Sequence, residues 1–406
     1  MGPKIRIQDY TYNLPEERIA KYPLPNRDDS KLLVYTKGVN RKFTASNFVN
    51  ISQFLPDSGF MVFNNTKVVP ARLLFRRDTG ALIEVFCLEP DTPSDYQVCF
   101  AQTRTCRWKA IIGNIKRWKG EKLSLFGEHE ALKGVNLTVQ LVERIDNTSI
   151  VEFTWDGGDS FSKVMDVCGK IPIPPYLKRD TQPIDYVHYQ TCYARKEGSV
   201  AAPTAGLHFT AREIEDINNK GIETASLCLH VGAGTFVPVK SEFIEDHNMH
   251  SEPFSVTIDF LTRLCNASQM KPVIAVGTTS TRCLESLYFL GVHCLENGAP
   301  AVVEQWEPYR DQGYNYTLTQ SLSALIEYMK RNKLEILTSK TRIIIVPGYK
   351  YRVVNFLVTN FHQPQSTLLL LIAAFIGDAW KDMYDFALAN GFRFLSYGDS
   401  SLIERV

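Results

Sequence analysis

Residues 61–155 constrain the fold more than any other stretch, because they show almost no helical periodicity. Short runs of alternating apolar and polar residues follow one another, separated by turn signals such as Asp78-Thr79-Gly80 and Asp146-Asn147. A period of two with regular turns is typical of a small antiparallel barrel or sandwich. Since helical patterns lie before and after this stretch, the sequence predicts an inserted β domain at residues 62–155.

The flanking residues, 1–61 and 156–406, carry strand–loop–helix units that predict one discontinuous α/β domain. Residues 273–276 have an apolar strand pattern, and residues 281–290 have a helical pattern that we expect to end at Gly291. Residues 342–346 predict a further strand, and Ser366 is expected to cap a buried apolar helix. The predicted fold class is α/β, with a main domain that a small antiparallel β-barrel interrupts.

The charge balance excludes a strongly basic or acidic protein, because the formal net charge is +1. Any nucleic-acid surface must therefore be a local patch. Nine dispersed cysteines without a CxxC motif indicate free thiols in a reducing compartment. The N-terminus does not resemble a signal peptide, and the most apolar run, 368–376, is shorter than the roughly 20 residues that span a bilayer. These features predict a cytoplasmic protein without a membrane segment.

Residues 198–236 suggest a ligand site, since two loops of small residues each carry a histidine at one edge. The first loop, 198–206, precedes His208, and His230 leads into Gly232-Ala233-Gly234-Thr235. Small residues let backbone N–H groups approach a ligand closely, and imidazoles can move protons near neutral pH. The stretch therefore predicts a ligand site at loop tips on an α/β frame.

Three further loops, 246–252, 277–282 and 359–367, carry hydroxyls or histidines next to predicted strands. In α/β enzymes ligands bind at the carboxyl ends of the strands. The motifs GxGxxG, GxxxxGK[ST] and GxSxG are absent, which disfavours the standard nucleotide sites and an α/β-hydrolase. The residues alone thus indicate an α/β enzyme with histidine-based acid–base chemistry, without defining its substrate.

Residues 245–252, with the sequence EDHNMHSE, form a dense titratable cluster. His247 and His250 can supply two metal ligands, but no Cys partner lies nearby and the HExxH motif is absent. We therefore expect no metal here and favour proton transfer or substrate binding. A surface turn with a capping histidine is the alternative.

Residues 104–122 are the most basic stretch, with seven Lys or Arg residues and the interleaved Trp108 and Trp118. Basic groups neutralise phosphates, and exposed aromatic rings can stack on bases, so the stretch can bind RNA. The alternative is a solvated barrel rim whose tryptophans point into the core. The sequence leaves both interpretations open.

Eight blocks, in order along the chain, carry a family resemblance: VFNNTKVVPARL (62–73), GKIPIPPYLKR (169–179), YQTCYARKEGSVAAPTAGLHFT (189–210), LHVGAGTFVPV (229–239), EDHNMHSE (245–252), VIAVGTTSTRCLES (273–286), TNFHQPQSTLLLL (359–371) and FRFLSYGDSSLI (392–403). They resemble the signature blocks of the S-adenosylmethionine:tRNA ribosyltransferase-isomerase family of queuosine biosynthesis. Departures at Asn65, Gln363 and Gln365 remove neither a histidine nor a small-residue loop. The basic stretch 104–122 matches the family least well.

The resemblance implies a bacterial enzyme that acts on tRNA carrying 7-aminomethyl-7-deazaguanine in its anticodon. Such an enzyme transfers and isomerises the ribosyl part of S-adenosylmethionine, gives epoxyqueuosine, and releases adenine and methionine. The resemblance also implies a barrel-like α/β main domain interrupted by a small β-barrel, in agreement with the predicted boundaries near 62 and 155.

Site residues follow as a hypothesis from the resemblance and the chemistry. Proton transfers are assigned to His208, His230, Asp246 and His247. Binding of S-adenosylmethionine is assigned to Thr204, Gly206, Gly232, Gly234, Thr278, Thr279 and Ser280. Binding of tRNA is assigned to Arg104, Arg107, Lys109, Lys116, Arg117, Lys119, Arg282 and His362. For His230 and His362, a buried and hydrogen-bonded core histidine is the alternative.

Two other classes of protein remain open at this point. A methyltransferase would release S-adenosylhomocysteine, and a non-catalytic RNA-binding module would use the basic stretch without turnover. For the favoured enzyme we expect S-adenosylmethionine as co-substrate, the tRNA anticodon stem-loop as partner, no prosthetic group and a monomer.

Overall fold

The computed structural model describes residues 3–38, 42–127, 136–232, 239, 241–310 and 314–406. Gly234, one of the predicted ligand-binding residues, lies outside this part of the chain. The α-helices are Ile51–Phe54 (α1), Tyr96–Phe100 (α2), Phe161–Cys168 (α3), Pro183–His188 (α4), Ala211–Asn219 (α5), Ile258–Ala267 (α6), Thr278–Asn297 (α7), Leu318–Arg331 (α8), Thr367–Ile376 (α9) and Ala379–Ala389 (α10). The strands are Lys31–Thr36 (β1), Lys42–Asn47 (β2), Gly59–Asn64 (β3), Thr66–Val68 (β4), Arg72–Arg76 (β5), Leu82–Thr92 (β6), Thr105–Gly113 (β7), Leu123–Leu125 (β8), Thr138–Ile145 (β9), Thr148–Thr154 (β10), Lys196–Ser199 (β11), Ile222–Leu229 (β12), Glu252–Thr257 (β13), Val273–Val276 (β14), Ile336–Thr341 (β15), Phe356–Asn360 (β16) and Ser400–Glu404 (β17).

The main domain is built on a mixed sheet that has nine strands within the described ranges, in the order β15-β13-β12-β3-β14-β16-β17-β1-β2. Its central strands β12, β3, β14 and β16 are mutually parallel. Every residue of β3 and β14 is buried, as expected for parallel strands that are covered on both faces. The sheet therefore forms the middle layer of the main hydrophobic core.

The strand directions bring several chain segments to one edge of this sheet. The parallel strands β12, β14 and β16 end there, at Leu229, Val276 and Asn360. β13 and β17 run antiparallel to their neighbours β12 and β16, so they begin at the same edge, and β1 is parallel to β17. Consequently the residues after three strands and before three others meet at this edge, which is where ligands bind in open α/β sheets.

The smaller domain is a closed antiparallel barrel with the strand order β10-β7-β6-β5-β8-β9. It has its own apolar core, in which Trp108 and Trp118 are 0% and 1% exposed. The predicted fold class, an α/β main domain with an inserted small antiparallel β-barrel, is thus confirmed. β3 pairs within the large sheet, so residues 62–64 lie on the sheet side of the predicted boundary at 62. The division into domains at 62 and 155 itself stays a prediction.

Several predicted elements are confirmed. The strand at 273–276 has the predicted bounds, and the Ser366 hydroxyl accepts from the backbone N–H of Leu369 as the N-cap of α9.

All nine cysteines lie within the described residues and are free. Across the described part of the chain, no helix combines the length and apolarity that a membrane span requires.

Two predicted elements are wrong. Residues 342–346 are not a strand, because β15 ends at Thr341. The helix predicted to stop at Gly291 continues to Asn297. Gly291 instead lies where α7 meets α8: a Cβ atom there would stand 2.1 Å from the backbone oxygen of Ser321. The glycine is needed for close helix packing and does not end the helix.

This contact predicts the sign of a stability change. In an ordinary helix interior, replacing Gly by Ala stabilises a protein by roughly 0.5–1 kcal/mol. For Gly291→Ala we expect the opposite, a loss of about 1–3 kcal/mol, because the new methyl group overpacks against fixed backbone. Urea unfolding of both proteins measures the difference. A stabilised variant would show that α7 and α8 do not pack this closely.

Candidate active site

One cavity lies at the edge of the sheet where β12, β14 and β16 end. About 130 Å³ of it is accessible to the centre of a water molecule. Its wall contains residues from each of the five loops that the sequence predicts to form the ligand site. The lining residues are 201–205, Val231, His247, Met249, His250, Glu252, 277–279, Arg282, 359–363 and 366–368, together with Tyr176, Leu395 and Ser396.

The predicted S-adenosylmethionine-binding residues are divided between this wall and the interior behind it. Thr204, Thr278 and Thr279 line the cavity. Among the described residues, Gly206, Gly232 and Ser280 are not in the wall. Gly206 is packed so tightly that an added Cβ would stand 1.8 Å from the Tyr193 hydroxyl, and Ser280 is fully buried.

A buried ion pair forms part of the wall. Nη1 of Arg282 donates to Oε2 of Glu252 at 2.5 Å, and Nε donates to the Ile343 carbonyl at 3.0 Å. Both side chains are less than a tenth exposed. Nη2 of Arg282 has no hydrogen-bond partner within the described structure. The pair therefore leaves one donor of a buried cation available beside the cavity.

His247 is the predicted proton-transfer histidine that lines the cavity. Burial lowers the pKa of its imidazole, and the neighbouring His250 lowers this pKa further. At neutral pH the ring is therefore neutral, with one nitrogen able to accept a proton. Asp246, which was predicted to share this role, is exposed and lies outside the wall.

His362 also lines the cavity, although it was predicted to bind tRNA. Burial lowers the pKa of its imidazole to about 3, and Nε2 lies 3.0 Å from the Thr359 hydroxyl. Its backbone is held at both polar atoms: the N–H donates to the Tyr384 hydroxyl, and the carbonyl accepts from Tyr12. The ring is thus a fixed, neutral part of the wall.

His208 lies behind the wall and does not line this cavity. Its Nδ1 is 2.9 Å from the Ser30 hydroxyl, and its Nε2 is 3.1 Å from Nδ2 of Asn360, which does line the cavity. Burial lowers the pKa of the imidazole to about 3, and the charges of Arg393 and Arg27 contribute. Contact between His208 and the cavity therefore runs through Asn360.

His230 lies at the contact between the two domains. Its ring stacks on Tyr96 of the barrel domain at a centroid distance of 4.1 Å, and burial lowers its pKa to about 4. On another side it meets Gly198, where an added Cβ would stand 2.5 Å from the ring. His230 is not in the cavity wall, so its burial and stacking agree with the core-histidine alternative, although its Nδ1 has no hydrogen-bond partner within the described structure.

The basic stretch lies on the barrel, and none of its predicted tRNA-binding cations lines the cavity. Arg104, Lys116, Arg117 and Lys119 are exposed. Trp108 and Trp118, which lie between them in the sequence, are buried in the barrel core. The interpretation that these two side chains stack on bases is therefore wrong. The stretch is a solvated face with inward tryptophans, and RNA binding by its cations stays a prediction.

Within the described ranges, no group of three His, Cys, Asp or Glu side chains is arranged to hold a metal ion.

Glu252 and Asn360 were not assigned a role from the sequence, yet both are buried in the cavity wall. The available signal was position: one begins a strand and the other ends one, at the same edge.

The burial of His208 predicts a pH dependence of stability. Its pKa is about 3 in the folded protein and near 6.5 in the unfolded chain, so below pH 6.5 only the unfolded chain takes up this proton. The contribution to stability is complete above pH 6.5 and is lost as the pH falls toward 3, by up to about 1.4 kcal/mol per unit. When the pH is lowered from 7.5 to 5.5, the free energy of unfolding measured in urea should fall by about 1 kcal/mol more in the native protein than in His208→Gln. Equal losses would contradict a buried neutral imidazole.

The comparisons with known proteins cover nearly the whole chain. A family model described as "Queuosine biosynthesis protein" matches residues 7–403. Proteins named S-adenosylmethionine:tRNA ribosyltransferase-isomerase, from Halothermothrix orenii and Aquifex aeolicus, are 39% and 34% identical over 402 residues, which is 98% of this chain and 100% of each relative. A crystal structure of S-adenosylmethionine tRNA ribosyltransferase from Thermotoga maritima is 25% identical, with a TM-score of 0.46 over 97% of this chain and 99% of that one.

The family model and the full-length relatives agree with the motif resemblance. The protein is a transferase, and the chain belongs to the S-adenosylmethionine:tRNA ribosyltransferase-isomerase family of queuosine biosynthesis.

Proposed function

We propose that this chain transfers and isomerises the ribosyl part of S-adenosylmethionine onto 7-aminomethyl-7-deazaguanine in a tRNA anticodon. The products are epoxyqueuosine in tRNA, adenine and methionine. The observation that carries this proposal is the cavity at the carboxyl edge of the sheet, where the small-residue, hydroxyl and histidine loops converge. One site that collects donors, a neutral imidazole and a buried ion pair suits a reaction with several proton transfers.

The reaction requires groups of several kinds. The sulfonium acidifies the adjacent ribose C–H, so that a base can remove its proton. Methionine leaves with the electron pair of the C–S bond, and adenine leaves with that of its bond to the sugar and takes up a proton. The neutral amine of the modified base bonds to a sugar carbon and gives up a proton.

The residues of the wall match these requirements in charge and protonation. His247 is neutral at pH 7 and half-buried, so it is our candidate for proton transfer. Arg282 was predicted to bind tRNA, but it lines the cavity, and its Nη2 donor, which has no partner within the described structure, suits the carboxylate of the methionine part. Thr278 and Thr279 open α7, where hydroxyls and backbone N–H groups are available to a ligand.

Product analysis tests this function. The protein is incubated with S-adenosylmethionine and tRNA carrying 7-aminomethyl-7-deazaguanine, and the tRNA and small molecules are then analysed by mass spectrometry. We expect epoxyqueuosine in the tRNA, with one adenine and one methionine per modified tRNA. Formation of S-adenosylhomocysteine would indicate methyl transfer, and either that result or unmodified tRNA would contradict the proposal.

A variant pair tests His247 in the same assay. His247→Gln keeps a polar side chain but removes the titrating group, so single-turnover adenine release should fall by about 10²–10⁴-fold. Asn248→Ala, an exposed neighbour outside the cavity wall, is the matched control and should react at the native rate. A near-native rate in His247→Gln would remove this residue from proton transfer.

The barrel cations are proposed to bind tRNA phosphates, because Lys116, Arg117 and Lys119 are exposed close together in sequence. Replacing all three by Ala should weaken tRNA binding and reduce the slope of log K against log salt by about 2, at about 0.7 per lost contact with single-stranded RNA. A control with the same charge change replaces Lys330, Arg331 and Lys333, which are exposed around the end of α8. Equal slopes in both variants would assign tRNA binding to another surface.

A further inference from the structure

A chain of hydrogen bonds links the protein interior to the cavity wall through Ser30, His208 and Asn360. The Ser30 hydroxyl is 3.1 Å from the Arg27 carbonyl and 2.9 Å from Nδ1 of His208. Nε2 of His208 is 3.1 Å from Nδ2 of Asn360, and the same Nδ2 is 3.1 Å from the Leu395 carbonyl. The chain therefore ends on a backbone carbonyl at each side.

The two carbonyls fix every proton in this chain, because a carbonyl oxygen can only accept. Ser30 uses its hydroxyl proton on the Arg27 carbonyl, so its oxygen must accept from the N–H at Nδ1 of His208. Neutral His208 then has a lone pair at Nε2, and this lone pair accepts from Asn360. A reversed Asn360 amide would turn its oxygen toward the oxygen of Leu395, so the orientation of the amide is determined.

This arrangement leaves one polar atom of Asn360 without a partner. Both protons of Nδ2 are used, on His208 and on Leu395, whereas Oδ1 has no hydrogen-bond partner within the described structure. Asn360 is 3% exposed and lines the cavity. A buried amide oxygen without a partner costs free energy, and a ligand that donates to it would recover that cost.

We propose that Oδ1 of Asn360 accepts a hydrogen bond from the exocyclic amino group of the adenine of S-adenosylmethionine, and that His208 is the positioning residue that orients this amide. This inference rests on the proposed function, because it takes S-adenosylmethionine as the ligand of the cavity. Under this proposal His208 orients Asn360 and does not itself transfer protons: both ring nitrogens have hydrogen-bond partners, and the ring is not in the wall of the cavity that Asn360 lines.

Charge decides between the two amino groups of S-adenosylmethionine, and the analogue described below separates the adenine amino group from the neutral ribose hydroxyls. S-adenosylmethionine carries two kinds of amino donor, the neutral adenine amino group and the cationic α-ammonium. An uncharged amide oxygen matches the neutral donor, whereas an ammonium ion is stabilised better by a carboxylate. The wall supplies such a carboxylate in Glu252. Both N–H groups of Asn360 already have partners. Its Oδ1 can therefore accept a hydrogen bond from an amino group at this position, but the side chain has no N–H left to donate to a carbonyl group.

Ligand discrimination tests the proposal without relying on turnover. Calorimetry of the full-length protein compares S-adenosylmethionine with its analogue that has hydrogen in place of the adenine amino group. The native protein should bind S-adenosylmethionine about tenfold more tightly than the analogue, as expected for one hydrogen bond to a buried acceptor. Asn360→Leu should bind the two ligands equally.

Two variants of His208 separate positioning from a merely structural role. Gln can accept from Asn360 and donate to Ser30, so His208→Gln should keep most of the discrimination. Leu can do neither, so His208→Leu should lose it to the same extent as Asn360→Leu. The double variant, with His208→Leu and Asn360→Leu together, should lose no more discrimination than either single variant. Each of the three proteins lacks the same hydrogen bond to the ligand.

Several outcomes would overturn the proposal. The first is that the native protein binds S-adenosylmethionine and the analogue equally well. The second is that Asn360→Leu keeps the full discrimination between the two ligands. The third is that His208→Gln and His208→Leu lose this discrimination to the same extent. Discrimination is a ratio for one folded protein, so a general loss of stability does not imitate it. Failure of the proposed function would appear separately, as absence of ribosyl transfer in the native protein while binding and its discrimination are still measurable.

Discussion

The structure depends on the parallel pairing of β12, β3, β14 and β16 in the middle of the large sheet. Parallel strands run in one direction, so the loops that follow them emerge at one edge. The strands β13 and β17 are antiparallel to their neighbours and contribute the residues that precede them to the same edge. Segments far apart in the chain, such as 201–205 and 395–396, therefore meet in one cavity.

Buried polar contacts hold the elements of this edge in register. Glu285 of α7 accepts from the Tyr349 hydroxyl and from the backbone N–H groups of Arg352, Val353 and Val354, just before β16. Burial raises the pKa of this carboxyl. The contact fixes α7, whose first turn carries Thr278, relative to β16, whose last residue is Asn360. The Asn360 amide is held in a similar way, by one backbone carbonyl, that of Leu395, and by the ring of His208.

The histidines illustrate what residue type can and cannot indicate about a site. The sequence assigned a role to four of them, His208, His230, His247 and His362, but their surroundings differ. Stacking between domains accounts for His230, and hydrogen bonds on both nitrogens account for His208. His247 and His362 line the cavity. An imidazole serves equally well in a packed core and in an acid–base site, so the sequence could not separate these cases.

The sequence by itself determined the α/β class, the inserted barrel, the strand at 273–276, the cap of α9 and the loops that build the site. It could do so because periodicity, turn residues and capping residues act over a few positions along the chain. Only the tertiary structure decided that Gly291 is a helix contact, that Trp108 and Trp118 point inward, and that Glu252 and Asn360 belong to the cavity wall. These outcomes depend on which strands pair and which faces pack, and those contacts join residues too distant in sequence for any local pattern to relate them.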